Sequence, residues 1–188
     1  MFISTGILLK KNRIRDKKHL LIFFTKEYWV IHIWSSKYPP IDLGSIVQIR
    51  IEKKWVLYMS DGWKIQDSIH YEWFSYKTLS LYLRLLLFIK NHLPEGYVNE
   101  SIFHDYQKCI YFSNKHPEET QRYITLLWLK YWKILGVLNP SDLEKSDGFE
   151  LYTYINKTSL ERFFESPKIT PEQIELLSLV VIKLFLSE

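Results

Sequence analysis

SIVQIRIE, residues 45–52, is the stretch on which the fold turns. Val47, Ile49 and Ile51 fall on one face and Gln48, Arg50 and Glu52 on the other, the period of two expected of a strand with one side buried. Its neighbours read the same way. Upstream, Phe2 to Lys11 is a β-branched and aliphatic run whose Gly6 hints at a bulge or sharp bend. His19 to Thr25 is nearly all apolar, and Tyr28 to Ser35 follows after the short connection Lys26-Glu27, a hairpin pattern. Pro39-Pro40 marks residues 35–44 as a loop. Downstream, Trp55 to Ser60 reads as a strand, Asp61-Gly62 as a turn and Trp63 to Ser68 as the partner strand. Five or six short strands in residues 1–72 predict a small closed barrel, OB-like or SH3-like, because closure removes unpaired edges.

After Ser75 the period changes from two to 3.6. Tyr76 to Leu93 predicts a helix with Leu79, Leu83, Leu86, Leu87 and Ile89 buried, ended by Pro94 and Gly96. Asn99 to Phe112 predicts a second, with Asn99 as cap and Ile102, Phe103, Tyr106 and Ile110 as its stripe. The third, EETQRYITLLWLKYWKILG at 118–136, has Pro117 in its first turn, Glu118 and Glu119 at the positive end of its dipole and Gly136 to stop it. Its apolar stripe is Tyr123, Leu126, Leu127, Tyr131, Ile134 and Leu135, interrupted by Lys130. A polar connection, Asn139 to Ser146, leads to an extended segment near 148–155. Capping boxes at Thr158–Glu161 and Thr170–Gln173 then open two closing helices. The order all-β then all-α predicts an α+β chain: an OB-like β-barrel over 1–72 and a helical domain over 73–188.

Composition narrows the function. A chain of 188 residues with 47% hydrophobic content holds a real core. Its one cysteine, Cys109, excludes an intrachain disulfide and argues against a Cys-rich zinc site. The apolar runs Leu79–Ile89 and Ile174–Leu186 are short and carry Arg84 and Lys183, and the N-terminus lacks the order of a signal peptide, so a soluble cytoplasmic protein is expected. The net charge of +4 is uneven. Residues 1–70 hold 12 Lys/Arg against 6 Asp/Glu, and the remainder 13 against 15. The basic half is the candidate for an anionic partner, nucleic acid being the usual one.

Catalytic motifs are lacking. The six glycines stand far apart, so the chain has neither a phosphate-binding loop nor a dinucleotide fingerprint, and the six histidines make no HExxH. His104-Asp105 is a neighbouring pair on a predicted helix, where adjacent residues point apart. No enzyme and no cofactor are expected. A nucleic-acid reading has more content. Lys10, Lys11, Arg13, Arg15, Lys17 and Lys18 form a basic arc in one turn region, where cations displace the counterions of phosphates. Lys37 stands beside Tyr38 in the next loop. Arg50, Lys53, Lys54 and Trp55 surround a further turn, with Trp63 close behind. Cations interleaved with aromatics suit single strands, whose bases stack on rings. Trp29, Trp34 and Trp55 serve equally as core in a small barrel.

In order and spacing these pieces resemble the recombination mediator RecO family. The likeness lies in Ser4-Thr5-Gly6-Ile7-Leu8-Leu9-Lys10, then Arg15-Asp16-Lys17-Lys18 and Leu20 to Glu27. Leu43-Gly44 to Ile51 and Arg122-Tyr123 through Leu126-Leu127 to Ile134-Leu135-Gly136 continue it. The resemblance implies an N-terminal OB-fold and a helical C-terminal domain. It also implies binding of single- and double-stranded DNA, annealing of complementary strands, and roles in DNA repair and recombination. The partners it implies are RecR and the single-strand-binding protein, with loading of the RecA recombinase as the outcome. Two departures stand out: Leu138 to Lys157 has no cysteine where many relatives hold zinc, so no metal is expected, and the loop after the third strand is short. The DNA contacts therefore fall to Lys10, Lys11, Arg13, Arg15, Lys17, Lys18, Lys37, Arg50, Lys53 and Lys54, with Trp55 and Trp63 stacking. The other reading is a protein-interaction module whose basic patch holds an acidic partner tail, without catalysis.

Overall fold

The computed structural model describes residues 1–14, 18–55, 57–93 and 100–134, the side chains of Trp29, Asp61, Trp132 and Lys133 excepted. The expectations for Arg15 and Lys17, Pro94 to Asn99, the end of the third helix at Leu135-Gly136 and everything beyond lie outside these residues. Five strands build one closed barrel: β1 (Phe2–Arg13), β2 (His19–Thr25), β3 (Trp29–Ser35), β4 (Ile46–Lys54) and β5 (Leu57–Asp67). They run in the order β1-β2-β3-β5-β4, with β4 paired back onto β1. Neighbours are antiparallel except β3 and β5, which run parallel and join where Ile33 meets Tyr58 and Trp34 meets Met59.

Alternation in 45–52 becomes the barrel wall. Val47, Ile49 and Ile51 point inward with Leu8, Leu21, Phe23, Ile31 and Ile33, while Arg50 and Glu52 face solvent. Each such buried aliphatic or aromatic side chain contributes roughly 1.5–3 kcal/mol. The β2–β3 hairpin forms as read, with Thr25 opposite Trp29 and the Tyr28 N–H donating to Thr25 Oγ1 at 3.0 Å.

Two local expectations shift. The β1 irregularity lies at Leu9, between the pairs Leu8–Phe23 and Lys10–Ile22, three residues beyond Gly6. Gly6 serves close approach instead: a Cβ there would meet Thr25 Cγ2 at 3.0 Å, the Phe24 carbonyl oxygen at 3.2 Å and Ile49 Cδ1 at 3.3 Å. Asp61-Gly62 is no hairpin turn. It lies inside the single strand β5, where the pairing with β4 steps from Arg50–Gly62 to Glu52–Met59 and leaves one extra residue on β5. Ser60 Oγ ties this bulge, donating to the Gly62 carbonyl at 3.1 Å and accepting from its N–H at 3.3 Å. Such a bulge bends a long strand around a small barrel, and glycine tolerates it.

The chain divides into two compact units. The first joins Met1–His70 to Leu83–Ile110, so part of α1 (Tyr76–His92) and most of α2 (Glu100–Lys115) belong with the barrel. Phe103 of α2 lies 5.7 Å from Phe24 on β2, and the Tyr106 hydroxyl donates to the Gly44 carbonyl at 2.9 Å. Ile102, Phe103, Tyr106 and Ile110 are all buried, as their spacing predicts. On α1 the expected stripe is corrected: Leu86 and Ile89 are buried beside Leu85 and Phe88, but Leu83 and Leu87 are about two-fifths exposed. That helix is apolar nearly all round, so periodicity alone does not choose its inner face.

The second unit holds, among the described residues, Tyr71–Tyr82 and Tyr111 to Ile134. Its 3₁₀ turn Pro117–Glu119 leads into α3 (Thr120–Ile134). Tyr123, Leu126, Leu127 and Tyr131 are buried as read, and so are Ile124, Thr125, Trp128 and Leu129. An amphipathic stripe was the expectation; through its middle this helix is enclosed on every side. Trp128 satisfies its indole N–H by donating to the Leu81 carbonyl at 3.3 Å. No described helix is long and apolar enough to cross a membrane.

Two outcomes follow from this packing. Gly6→Ala forces a methyl against Phe24 backbone that cannot yield, and is expected to cost about 1–3 kcal/mol in denaturant unfolding. Tyr123 is titratable: burial, the Glu119 carboxylate and a hydrogen bond to it push the phenol up to about 12, with Arg122 opposing. A folded-state value above the ordinary 10.0 contributes stability below pH 10 that disappears as pH climbs toward about 12. Alkaline unfolding curves of the wild type and Tyr123→Phe should therefore converge across that window.

Candidate nucleic-acid interface

The far end of β3 organises the candidate site. His19, the first residue of β2, pairs with Ser35, and Arg13 pairs with His19, so the residues that bound the β1–β2 connection lie beside the end of β3. On the other flank Trp34 pairs with Met59 near the start of β5, while Lys54 pairs with Leu57 across the β4–β5 turn. Arg13 and Lys18 thus lie by the end of β3, and Lys53 and Lys54 lie beside the start of β5, so two basic stretches distant in sequence flank one wall of the barrel from opposite sides. Lys10, Arg13, Lys18, Lys37, Arg50, Lys53 and Lys54 are all exposed.

Not every predicted cation is equally available. Lys11 is half-buried; its Nζ donates to the Ile41 carbonyl at 2.6 Å and sits 4.8 Å above the Tyr38 ring, which His19 meets edge-on at 5.1 Å. It clamps the loop after β3 onto β1. Lys54 pairs with Glu52 at 3.3 Å, but both side chains remain about half exposed, and such surface pairs contribute little. Lys53 Nζ lies 5.9 Å from the Tyr58 ring.

The two predicted stacking tryptophans part company. Trp55 is 95% exposed, with φ of 59° in the turn that follows Lys54. A bulky side chain in the left-handed region is strained, and an indole in water gains nothing from the core. Trp63 pairs with Ile49 and packs half-buried against the barrel interior. Its contribution is to the core.

Residues outside the predicted contacts complete the surface. Trp34, Met59, Glu52 and Ser36, together with Arg50 and Lys54, line a groove of about 180 Å³ on the outer wall. Strand parity carries the signal for Trp34: with Ile31 and Ile33 inward, His32 and Trp34 face outward. Met59 has no such signal, because the Ser60–Gly62 bulge breaks the parity of β5. A second hollow, about 350 Å³ beside Lys26, Glu100 and His104, lies at the opposite end of β3. His104 is exposed and Asp105 buried, so that neighbouring pair faces apart.

Replacing Trp55 with glycine separates strain from function. Trp55→Gly should raise stability by about 1 kcal/mol, since glycine adopts positive φ freely and no buried area is lost. On the nucleic-acid reading, its affinity for single-stranded oligonucleotide should fall as well, read by fluorescence anisotropy beside the thermal melt. No family model matches the chain, and no curated protein matches it either.

Proposed function

We propose that this chain is a RecO-like DNA-binding protein of repair and recombination that anneals complementary single strands and helps load the recombinase. The observation that carries the reading is that Arg13 and Lys18, by the end of β3, and Lys53 and Lys54, beside the start of β5, flank one wall of a five-stranded closed barrel. OB-folds are five-stranded Greek-key barrels that hold oligonucleotides with these same two loops, and the reading takes this barrel as one. Arg13, Lys18, Lys37, Arg50, Lys53 and Lys54 neutralise phosphates, while Trp55 offers a ring to an unpaired base. Annealing needs no covalent chemistry. Two polyanions are brought together with their charge screened by the protein and their bases left free to pair. RecR-like and single-strand-binding partners belong to the same reading and rest on the resemblance alone.

Charge reversal tests the reading. The double variant Arg50→Glu, Lys53→Glu should bind single-stranded DNA at least about tenfold more weakly, and each lost phosphate contact should flatten the salt dependence by roughly 0.7 in log–log slope. Annealing of complementary labelled strands should slow in parallel. A binding curve unmoved by these reversals sinks the proposal. Binding confined to an acidic, apolar-ended peptide in the same titration would favour the protein-interaction module instead.

A further inference from the structure

Three outward-facing residues stand in a row across β3, β5 and β4. Trp34 pairs with Met59 over the parallel junction, and Met59 pairs with Glu52 over the antiparallel one. Adjacent strands lie about 4.8 Å apart, so an indole, a thioether and a carboxylate share roughly 10 Å of wall. All three line the 180 Å³ groove, as do the cations Arg50 and Lys54. Met59 is 37% exposed, and Glu52 is held 3.3 Å from Lys54 with its carboxylate still open to solvent.

This lining differs from what phosphate binding alone requires. A carboxylate repels phosphate oxygens, so Glu52 weighs against a backbone lying directly over it. It suits a group that presents N–H donors. Indole and thioether suit a flat, polarisable ring, because sulfur and aromatic faces both attract π systems. Cations on the same groove suit a ring that is tethered to phosphates.

We propose that this groove accepts one unpaired nucleobase of a bound single strand, stacked on Trp34 and Met59, with Glu52 accepting a hydrogen bond from an exocyclic amino group. The inference rests on the DNA-binding reading and adds a base preference to it. Cytosine offers an amino donor at the edge where thymine offers a carbonyl, and carboxylate recognition of the cytosine amino group is an established pairing. Arg50 and Lys54 hold the flanking phosphates. Trp55 lies on the next turn and stacks a neighbouring base.

The test titrates the full chain with labelled oligo-dC and oligo-dT of equal length at one salt concentration, followed by anisotropy. The wild type should bind oligo-dC about fivefold more tightly, the low end for a single side chain–base contact. Glu52→Gln, at an exposed position that folding tolerates, should bring the ratio close to one, since glutamine both donates and accepts. Equal wild-type affinities, or a preference that survives Glu52→Gln, overturn the base-accepting groove and leave phosphate binding by the turns standing. A wild type that binds neither oligonucleotide nor duplex overturns the DNA-binding reading as well.

Discussion

Ile33 against Tyr58 and Trp34 against Met59 are the pairings through which β3 and β5 close the barrel. Open this junction and the sheet has two exposed edges, with Ile31 and Ile33 no longer enclosed together with Val47, Ile49 and Ile51. Closure also sets the surface. Because the end of β3 joins the start of β5, Lys53 and Lys54 come to one flank of this wall while Arg13 and Lys18 stand at the other. The same pairing that seals the core therefore sets cations on both flanks of one wall, and it seats Trp34 beside Met59 on its outer face.

Placing cations around one wall carries an electrostatic cost, which the structure distributes unevenly. Lys11 is turned inward onto a carbonyl and a tyrosine ring, where its charge steadies the loop that follows β3. Lys54 shares its charge with Glu52. Lys10, Arg13, Lys18, Lys37 and Lys53 stay in solvent, where salt screens their mutual repulsion within about 10 Å at 0.1 M. Trp55 adds a conformational cost of its own. Its positive φ and near-complete exposure stabilise nothing in the barrel, and strain of this kind gathers at functional positions.

Much of the architecture was legible in local patterns. Alternation in 45–52 located β4 and its inward face, and the apolar run before Lys26 located the hairpin of β2 and β3. The stripe of α2 was right because Glu100, Ser101, His104 and Lys115 on its other side stay in solvent. Where pattern and structure diverge, the cause is a long-range contact or a surplus of apolar residues. Asp61-Gly62 has the residues of a turn, but the pairing of β5 with β4 runs through it as a bulge. Leu83 and Leu87 look like core because α1 offers more apolar positions than its neighbours can cover.

The chain's own residues determined the class of each segment, the uneven charge and the candidate cations, because periodicity and charge are local properties. Tertiary structure alone decided which of these work together. Lys11 and Trp63 joined the fold, Trp55 was left in water, and Trp34, Met59 and Glu52 came into one row. Register between strands distant in sequence makes those choices, and it depends on how the whole barrel closes rather than on any one stretch.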